Sequence, residues 1–225
     1  MVTDIVGIGK AAEPLVQGFR GLLSLFFKPA AVETGLWLGD RVRIVRERNL
    51  ENVLSKAKKK LDAAGIEINP IATKIFLPLV EAASLEDEEE MIERWANLLA
   101  AAASGKSVLP SYIQILSQLS PDEARILDLV QELQRDIREN KNSGSPIFAA
   151  NIKDVQQTLK LPGDTFRRGS VNLDRLELLK RRFPIPSIIF GGIPPAKHES
   201  DLVGTTEFAD DILGMCNRPP GRAVA

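Results

Sequence analysis

Apolar residues recur three or four positions apart along most of the chain, a spacing that predicts a mainly α-helical protein. In residues 4–27 this spacing is carried by Leu15, Phe19, Leu22 and Phe26. A second and much longer helix is predicted from Pro29 to Gly65, because no breaker interrupts its apolar stripe and glycine commonly follows the last helical residue.

Boundary signals predict the helices that follow. Ser84, with Asp87 three residues later, is typical of a capping box that opens a helix through Trp95. Ser120-Pro121, with Glu123, is a second such signal, with proline suited to the first helical position. This second helix is expected to bury Ile126, Leu127, Val130 and Leu133.

The last part of the chain mixes helices with weak strands. Helices are predicted near Asn151–Leu159 and from Ser170 to about Arg182. Ser187–Phe190 is the best strand candidate, since it is rich in β-branched and aromatic residues and lies between proline and glycine. Asp201–Thr205 is a weaker one. A final helix is predicted to hold Phe208, Ile212, Leu213 and Cys216. This order predicts a small winged-helix-like module with a short two-stranded wing.

The patterns together predict three regions. Residues 1–119 form a helical region with one long helix, and residues 120–216 form the winged-helix-like module. Residues 217–225 are rich in proline and glycine and are predicted to be a disordered tail.

Composition narrows the chemistry. The chain has 225 residues, 29 Lys and Arg against 30 Asp and Glu, one His and one Cys. One cysteine forms neither an internal disulfide nor a thiolate cluster, and one histidine excludes zinc sites that need two imidazoles. Gly7–Ala12 resembles a dinucleotide fingerprint, but no predicted strand precedes it. We therefore expect no cofactor, no metal and no catalytic activity.

The chain also lacks targeting signals. Residues 1–10 contain Asp4 and no basic run before an apolar one, so a secretory signal is not expected. No window reaches the ~18–20 uncharged residues that a spanning helix needs. These features predict a cytoplasmic protein.

Two basic segments are candidate binding sites. Residues 41–60 hold eight bases and two acids. One interpretation is a solvated face complemented by the acidic cluster Glu86–Glu93. The alternatives are a site that binds nucleic-acid phosphates and a site that contacts lipid headgroups or a partner.

The second basic segment, residues 160–182, holds seven bases and three acids. It brackets the helix that a winged module lays in the DNA major groove. Asp174 and Glu177 lie there too and repel phosphate unless they face away. The candidate nucleic-acid contacts are Arg167, Arg168, Arg175, Lys180, Arg181 and Arg182.

The first predicted helix has two interpretations. Its apolar residues Leu15, Phe19, Leu22 and Phe26 are candidate contacts with a membrane interface or a partner. The alternative is a helix buried against the long one, which its shortage of Lys and Arg favours.

Four segments resemble the abortive-infection alpha (Abi-alpha) family of bacteria and phages. They are Lys28–Arg43, Pro78–Ala100, Leu109–Leu127 and Ser170–Leu176, with a weaker match from Thr206 to Cys216. Family members tend to have glycine after the Arg-Leu pair that is Arg175-Leu176 here, where this chain has Glu177. They also tend to have glycine three residues after the threonine that is Thr206 here, where this chain has Ala209. We therefore expect the helix to continue through Glu177.

The resemblance implies a non-enzymatic protein linked to phage defence, acting through protein or membrane contacts. It implies no catalytic residues. A protein partner or self-association is expected, with peripheral membrane binding and DNA as further possibilities. The competing hypothesis is a DNA-binding winged-helix regulator that uses the 160–182 segment.

Overall fold

The computed structural model describes residues 36–140, 150–182 and 202–218, and within them the side chains of 44–136, 150–180 and 203–218. Over these ranges the chain forms eight helices and one antiparallel sheet of three short strands. The prediction of a mainly helical fold is confirmed.

The described residues divide into two compact units. The first holds the residues up to Gln118 and from Gly214 onward, and the second holds Leu119–Leu213. The helices of the first unit are α1 (Leu36–Ala64), α2 (Thr73–Ser84), α3 (Glu89–Ala103) and α4 (Pro110–Leu116).

The second unit contains helices and the sheet. Its helices are α5 (Pro121–Asn140), α6 (Ile152–Leu159), α7 (Gly163–Arg175) and the start of α8 (Glu207–Cys216). Its strands are β1 (Ala150–Asn151), β2 (Leu179–Arg182) and β3 (Leu202–Thr205), in the spatial order β1-β3-β2.

In the first unit α1 packs against α2 and α3. Its buried stripe repeats every three or four residues through Leu50, Val53, Leu54, Ala57 and Leu61. At its end Gly65 has a φ of +64°, and the amides of Gly65 and Ile66 donate to the carbonyls of Asp62 and Leu61. Glycine adopts this left-handed geometry without strain, so the predicted C-cap is confirmed.

The predicted capping box at Ser84 is wrong. Ser84 is the last residue of α2, and its hydroxyl donates to the Glu81 carbonyl while accepting from Arg46 Nε. Helix α3 begins at Glu89 instead. Its acidic first turn remains where the helix dipole favours negative charge.

The start of α5 follows its sequence signal. The Ser120 amide donates to Glu123 Oε2 at 2.8 Å, and the Glu123 amide donates to Ser120 Oγ at 3.3 Å. This reciprocal pair is a capping box. Ile126, Leu127 and Val130 are buried as predicted, whereas Leu133 is only half-buried and Gln134 beside it is buried.

The predicted helix from Ser170 to Arg182 is also wrong. Helix α7 runs from Gly163 to Arg175, and Glu177 adopts a φ of +57°. The amides of Glu177 and Leu178 donate to the carbonyls of Asp174 and Leu173, the pattern of a Schellman C-cap. Leu178 and Leu173 are both fully buried, so burial of this apolar pair at the helix end holds Glu177 in a conformation usually taken by glycine.

The chain then enters the sheet. Strand β2 pairs antiparallel with β3, with Leu179 opposite Thr205 and Arg182 opposite Leu202, and β1 pairs with β3 on its other edge. The strand predicted at Asp201–Thr205 is thus confirmed as β3. The candidate at Ser187–Phe190 lies outside the described residues.

Candidate contact surfaces

Helix α7 turns one face into its unit and the other to solvent. Phe166, Gly169, Ser170 and Leu173 are buried. The predicted contacts Arg167, Arg168 and Arg175 are all exposed. Between them Val171 is 53% exposed.

The charge of this face is mixed. Asp164 and Asp174 are also exposed, and Arg167 Nη2 lies 3.8 Å from Asp164 Oδ1. Arg175 donates through Nε and Nη2 to Asn172 Oδ1, at 3.0 and 2.7 Å. Three arginines and two aspartates leave the face only slightly positive, which weakens its attraction for phosphate.

The remaining predicted DNA contacts belong to a strand. Lys180 lies on β2 and is exposed. Arg181 and Arg182 are placed by their backbones, which pair with Val203 and Leu202. The basic segment is therefore divided between a helix and a strand, whereas the sequence predicted one helix from Ser170 to about Arg182 with Arg167 and Arg168 before it.

A cleft of about 620 Å³ opens beside β2 and the start of α8. Its walls include the carboxylates of Asp174, Glu177, Glu207 and Asp210, with Lys180 among them. Asp210 Oδ1 accepts from Thr205 Oγ1 at 2.8 Å and from Gln131 Nε2 at 3.0 Å. One of the four carboxylates thus serves to hold the unit together. In the ranges with described side chains, no group of three or more His, Cys, Asp or Glu is arranged to hold a metal ion.

Part of the basic face of α1 is neutralised within the first unit. Lys56 Nζ lies 2.8 Å from Glu89 Oε1 and 3.1 Å from Glu93 Oε2, and Lys60 also binds Glu93. Hydrogen bonds with Glu89 and Glu93 raise the pKa of Lys56. Burial raises the pKa of Glu93, but Lys60 and Lys56 outweigh it and leave that pKa below its usual range. The predicted pairing with the acidic cluster is confirmed at these two lysines.

A patch of exposed apolar side chains lies in the first unit. Ile44, Val45 and Leu85 are 59%, 43% and 65% exposed. Arg46 Nε donates to Ser84 Oγ at 3.0 Å, and Asn49 Nδ2 donates to the Ser84 carbonyl at 3.3 Å. Because Leu85 follows Ser84 directly, these bonds hold it beside the same part of α1. We call Val45 and Leu85 the apolar patch; Ile44, two positions before Arg46, lies on the other side of α1.

Sequence reasoning missed a buried polar anchor in α3. Asn97 Nδ2 donates to the Cys216 carbonyl at 2.7 Å, and Arg94 Nη1 donates to Asn217 Oδ1. Arg94 and Asn97 are buried. The only signal was the presence of Arg94 and Asn97 among the apolar residues that fill the helix after Glu93. Cys216 itself is buried.

The predicted membrane or partner contacts Leu15, Phe19, Leu22 and Phe26 lie outside the described residues, as does His198. A search of the described helices found none long and apolar enough to cross a membrane.

The described residues thus form a mainly helical protein with a small antiparallel sheet and with exposed apolar side chains on α1 and α7. A sequence model described as abortive infection alpha matches residues 45–189. Because the match covers more than half of the chain, the protein belongs to the abortive infection alpha family. No curated protein and no solved structure matches it.

Proposed function

We propose that this protein takes part in abortive infection, as a non-enzymatic cytoplasmic component, by binding a protein partner. The observation that carries the proposal is the apolar patch of Val45 and Leu85, which are 43% and 65% exposed. Exposed apolar groups that lie together are typical of interaction sites. A single histidine and a single cysteine support a role in binding over one in catalysis.

The patch continues the core stripe of α1 past the point where the described residues of the first unit cover it. Val45 lies one helical turn before the buried Asn49 and two turns before the buried Val53, so all three share one row of the helix. The row is buried at Asn49 and exposed at Val45. A partner that covers Val45 and Leu85 would extend the same packing.

Charge near the patch favours a protein over an anionic membrane. Leu85 is followed by Glu86, Asp87 and Glu88, of which the last two are exposed. An anionic lipid surface would repel these carboxylates. A protein partner with a mixed or basic rim would accommodate them beside Arg46 and Arg48.

The test is an infection assay with folded variants. Leu85→Glu and Val45→Glu place a charge on the patch at solvent-exposed sites, and Ile44→Glu, the control, places the same charge at an exposed apolar site on the other side of α1. We expect the patch variants to lose protection of the culture against sensitive phages and the control to keep it. Full protection by both patch variants, at equal protein levels, would overturn the proposal.

A vesicle arm separates the two kinds of partner. Purified protein is sedimented with vesicles of neutral and of anionic lipid. Under the proposal it stays in the supernatant with both. Sedimentation that Leu85→Glu abolishes would replace the protein partner with a membrane.

DNA binding by the second unit is the second candidate, supported by the order of its elements. The order α5-β1-α6-α7-β2-β3, with sheet order β1-β3-β2, is the arrangement we expect of a winged helix. In that arrangement α7 is the helix for the major groove, and it exposes Arg167, Arg168 and Arg175.

This candidate predicts a salt-dependent affinity. Replacing all three arginines with alanine should weaken binding to duplex DNA and lower the slope of log K against log salt concentration by roughly three. An unchanged slope would remove α7 as the DNA-binding helix.

A further inference from the structure

The solvent face of α7 has an ordered charge pattern that DNA binding does not explain. Asp164, Arg168, Val171 and Arg175 are spaced by four, three and four residues and are all exposed. This spacing places them in one row along the helix. We call these four residues the α7 row. It has an acid at its start, a base at its end, and an arginine and a valine between them.

We propose that the α7 row binds the same row of a second copy of this chain, with the two helices antiparallel. The eleven residue-to-residue steps from Asp164 to Arg175 correspond to about 16 Å along the helix axis. In the antiparallel arrangement each Asp164 faces the other copy's Arg175, so that both ends form ion pairs. A two-fold axis produces such a self-complementary contact.

The centre of the row fits the same axis. The midpoint between Asp164 and Arg175 falls between Arg168 and Val171, so Val171 of one copy faces Arg168 of the other. The aliphatic part of an arginine side chain covers an apolar neighbour while its guanidinium stays in water. Val171 would lose its exposed apolar surface, and no like charges would meet directly across the row.

Other arrangements satisfy the row less well. Two parallel helices would place Asp164 against Asp164 and Arg175 against Arg175. A DNA backbone would gain from the arginines but would be repelled by Asp164 and Asp174. The second copy alone uses both signs of charge.

The contact is small, which sets the concentration range of the test. One pair of 13-residue helices buries less than the roughly 1,200–2,000 Å² of a standard interface. We therefore expect self-association to appear at about 10–100 μM protein and to weaken as salt is raised.

The experiment is sedimentation equilibrium of the full chain and four variants. Asp164→Arg and Arg175→Asp each place like charges together at both ends of the contact, and we expect each to weaken association by about tenfold or more. The double variant D164R/R175D restores opposite charges with the polarity reversed and should return within about threefold of the parent. Asp154→Arg, at an exposed site of α6, makes the same charge change off the row and should have no effect.

The double variant guards against an effect of folding, because a merely destabilised protein would not regain association. Binding to duplex DNA is measured on the same variants, where Asp164→Arg should strengthen binding if α7 contacts phosphate. A chain that stays monomeric to 1 mM would overturn the proposal. A double variant that associates no more tightly than either single variant would overturn it too. Asp164→Arg that gains DNA affinity and leaves association unchanged would assign the α7 row to DNA.

Discussion

Helices α3 and α7 have similar lengths and opposite designs. In α3 twelve of fifteen residues are buried, including Arg94 and Asn97. In α7 only four of thirteen are buried, and its arginines face solvent. The difference separates two tasks: α3 is enclosed on nearly all sides and holds its unit together, whereas α7 packs along one narrow stripe and leaves a wide face free for contact.

The largest effect should come from the middle of α3. Trp95→Ala empties the volume of a fully buried indole, and we expect the free energy of unfolding to fall by about 3–5 kcal/mol. Guanidinium denaturation followed by circular dichroism measures it. The matched substitution on α7, Val171→Ala, should change the free energy of unfolding by no more than about 0.5 kcal/mol. Equal losses at the two sites would remove the contrast between the helices.

A smaller effect is expected at the polar anchor. Asn97→Ala removes the amide that donates to the Cys216 carbonyl at 2.7 Å and leaves that carbonyl without this bond. The unfolding free energy should fall by about 1–3 kcal/mol. Asn172→Ala removes half-buried and exposed bonds of α7 to Glu123 and Arg175, and should cost less than Asn97→Ala in the same denaturation series.

The C-terminus of α7 predicts a gain in stability. Glu177 has a φ of +57°, where a side chain meets steric strain that glycine does not. Glu177→Gly should therefore raise the unfolding free energy by about 0.5–1 kcal/mol. Glu207→Gly, an exposed acid in the first turn of α8, is the control and should lower it. A loss of stability for Glu177→Gly would show that the Glu177 side chain has a favourable contact that outweighs the strain.

The smallest effect concerns the ion pairs between α1 and α3. The pKa of Glu93 is below its ordinary 4.5 because Lys60 and Lys56 outweigh the effect of burial. A carboxylate whose pKa is lowered in the folded state stabilises that state at pH values above its ordinary pKa. This stabilisation is lost as the pH falls through the folded-state pKa. At neutral pH the free energy of unfolding of the parent should exceed that of Glu93→Gln by less than about 1 kcal/mol, since the Glu93 carboxylate is partly exposed.

This difference should shrink as the pH falls below 4.5. Glu81→Gln, at an exposed site of α2, should show no such dependence. A difference between Glu93→Gln and the parent that persists unchanged in acid would contradict the ion-pair explanation.

The sequence correctly predicted helix ends that depend on a few neighbouring residues. The capping box at Ser120 and Glu123 and the C-cap at Gly65 each depend on a few consecutive residues. The pairing of Lys56 and Lys60 with acids near Glu89 was also predicted, because a strongly basic helix and an acidic helix start attract each other.

The sequence failed where tertiary packing overrides local preference. Ser84 has an ideal side chain for a helix start, but Arg46 and Glu81 occupy its hydroxyl at the end of α2. Glu177 is a good helix former, but burial of Leu178 against the end of α7 turns the chain there. The two-residue strand β1 has no sequence signal of its own, because it exists only through its pairing with β3.

The candidate contact surfaces were predicted in part. Arg167, Arg168 and Arg175 are exposed together on one helix, as a charge pattern can indicate. The apolar patch was not predicted, because the sequence does not show that coverage of the α1 stripe ends near Val45.

The most direct test of the claim that α7 is a contact helix is the unfolding midpoint measured at increasing protein concentration. Association of folded copies raises the midpoint as concentration rises. We predict this rise for the parent protein, and for Val171→Glu a constant midpoint close to that of the dilute parent. A parent midpoint independent of concentration, or a Val171→Glu midpoint lowered at every concentration, would contradict the claim.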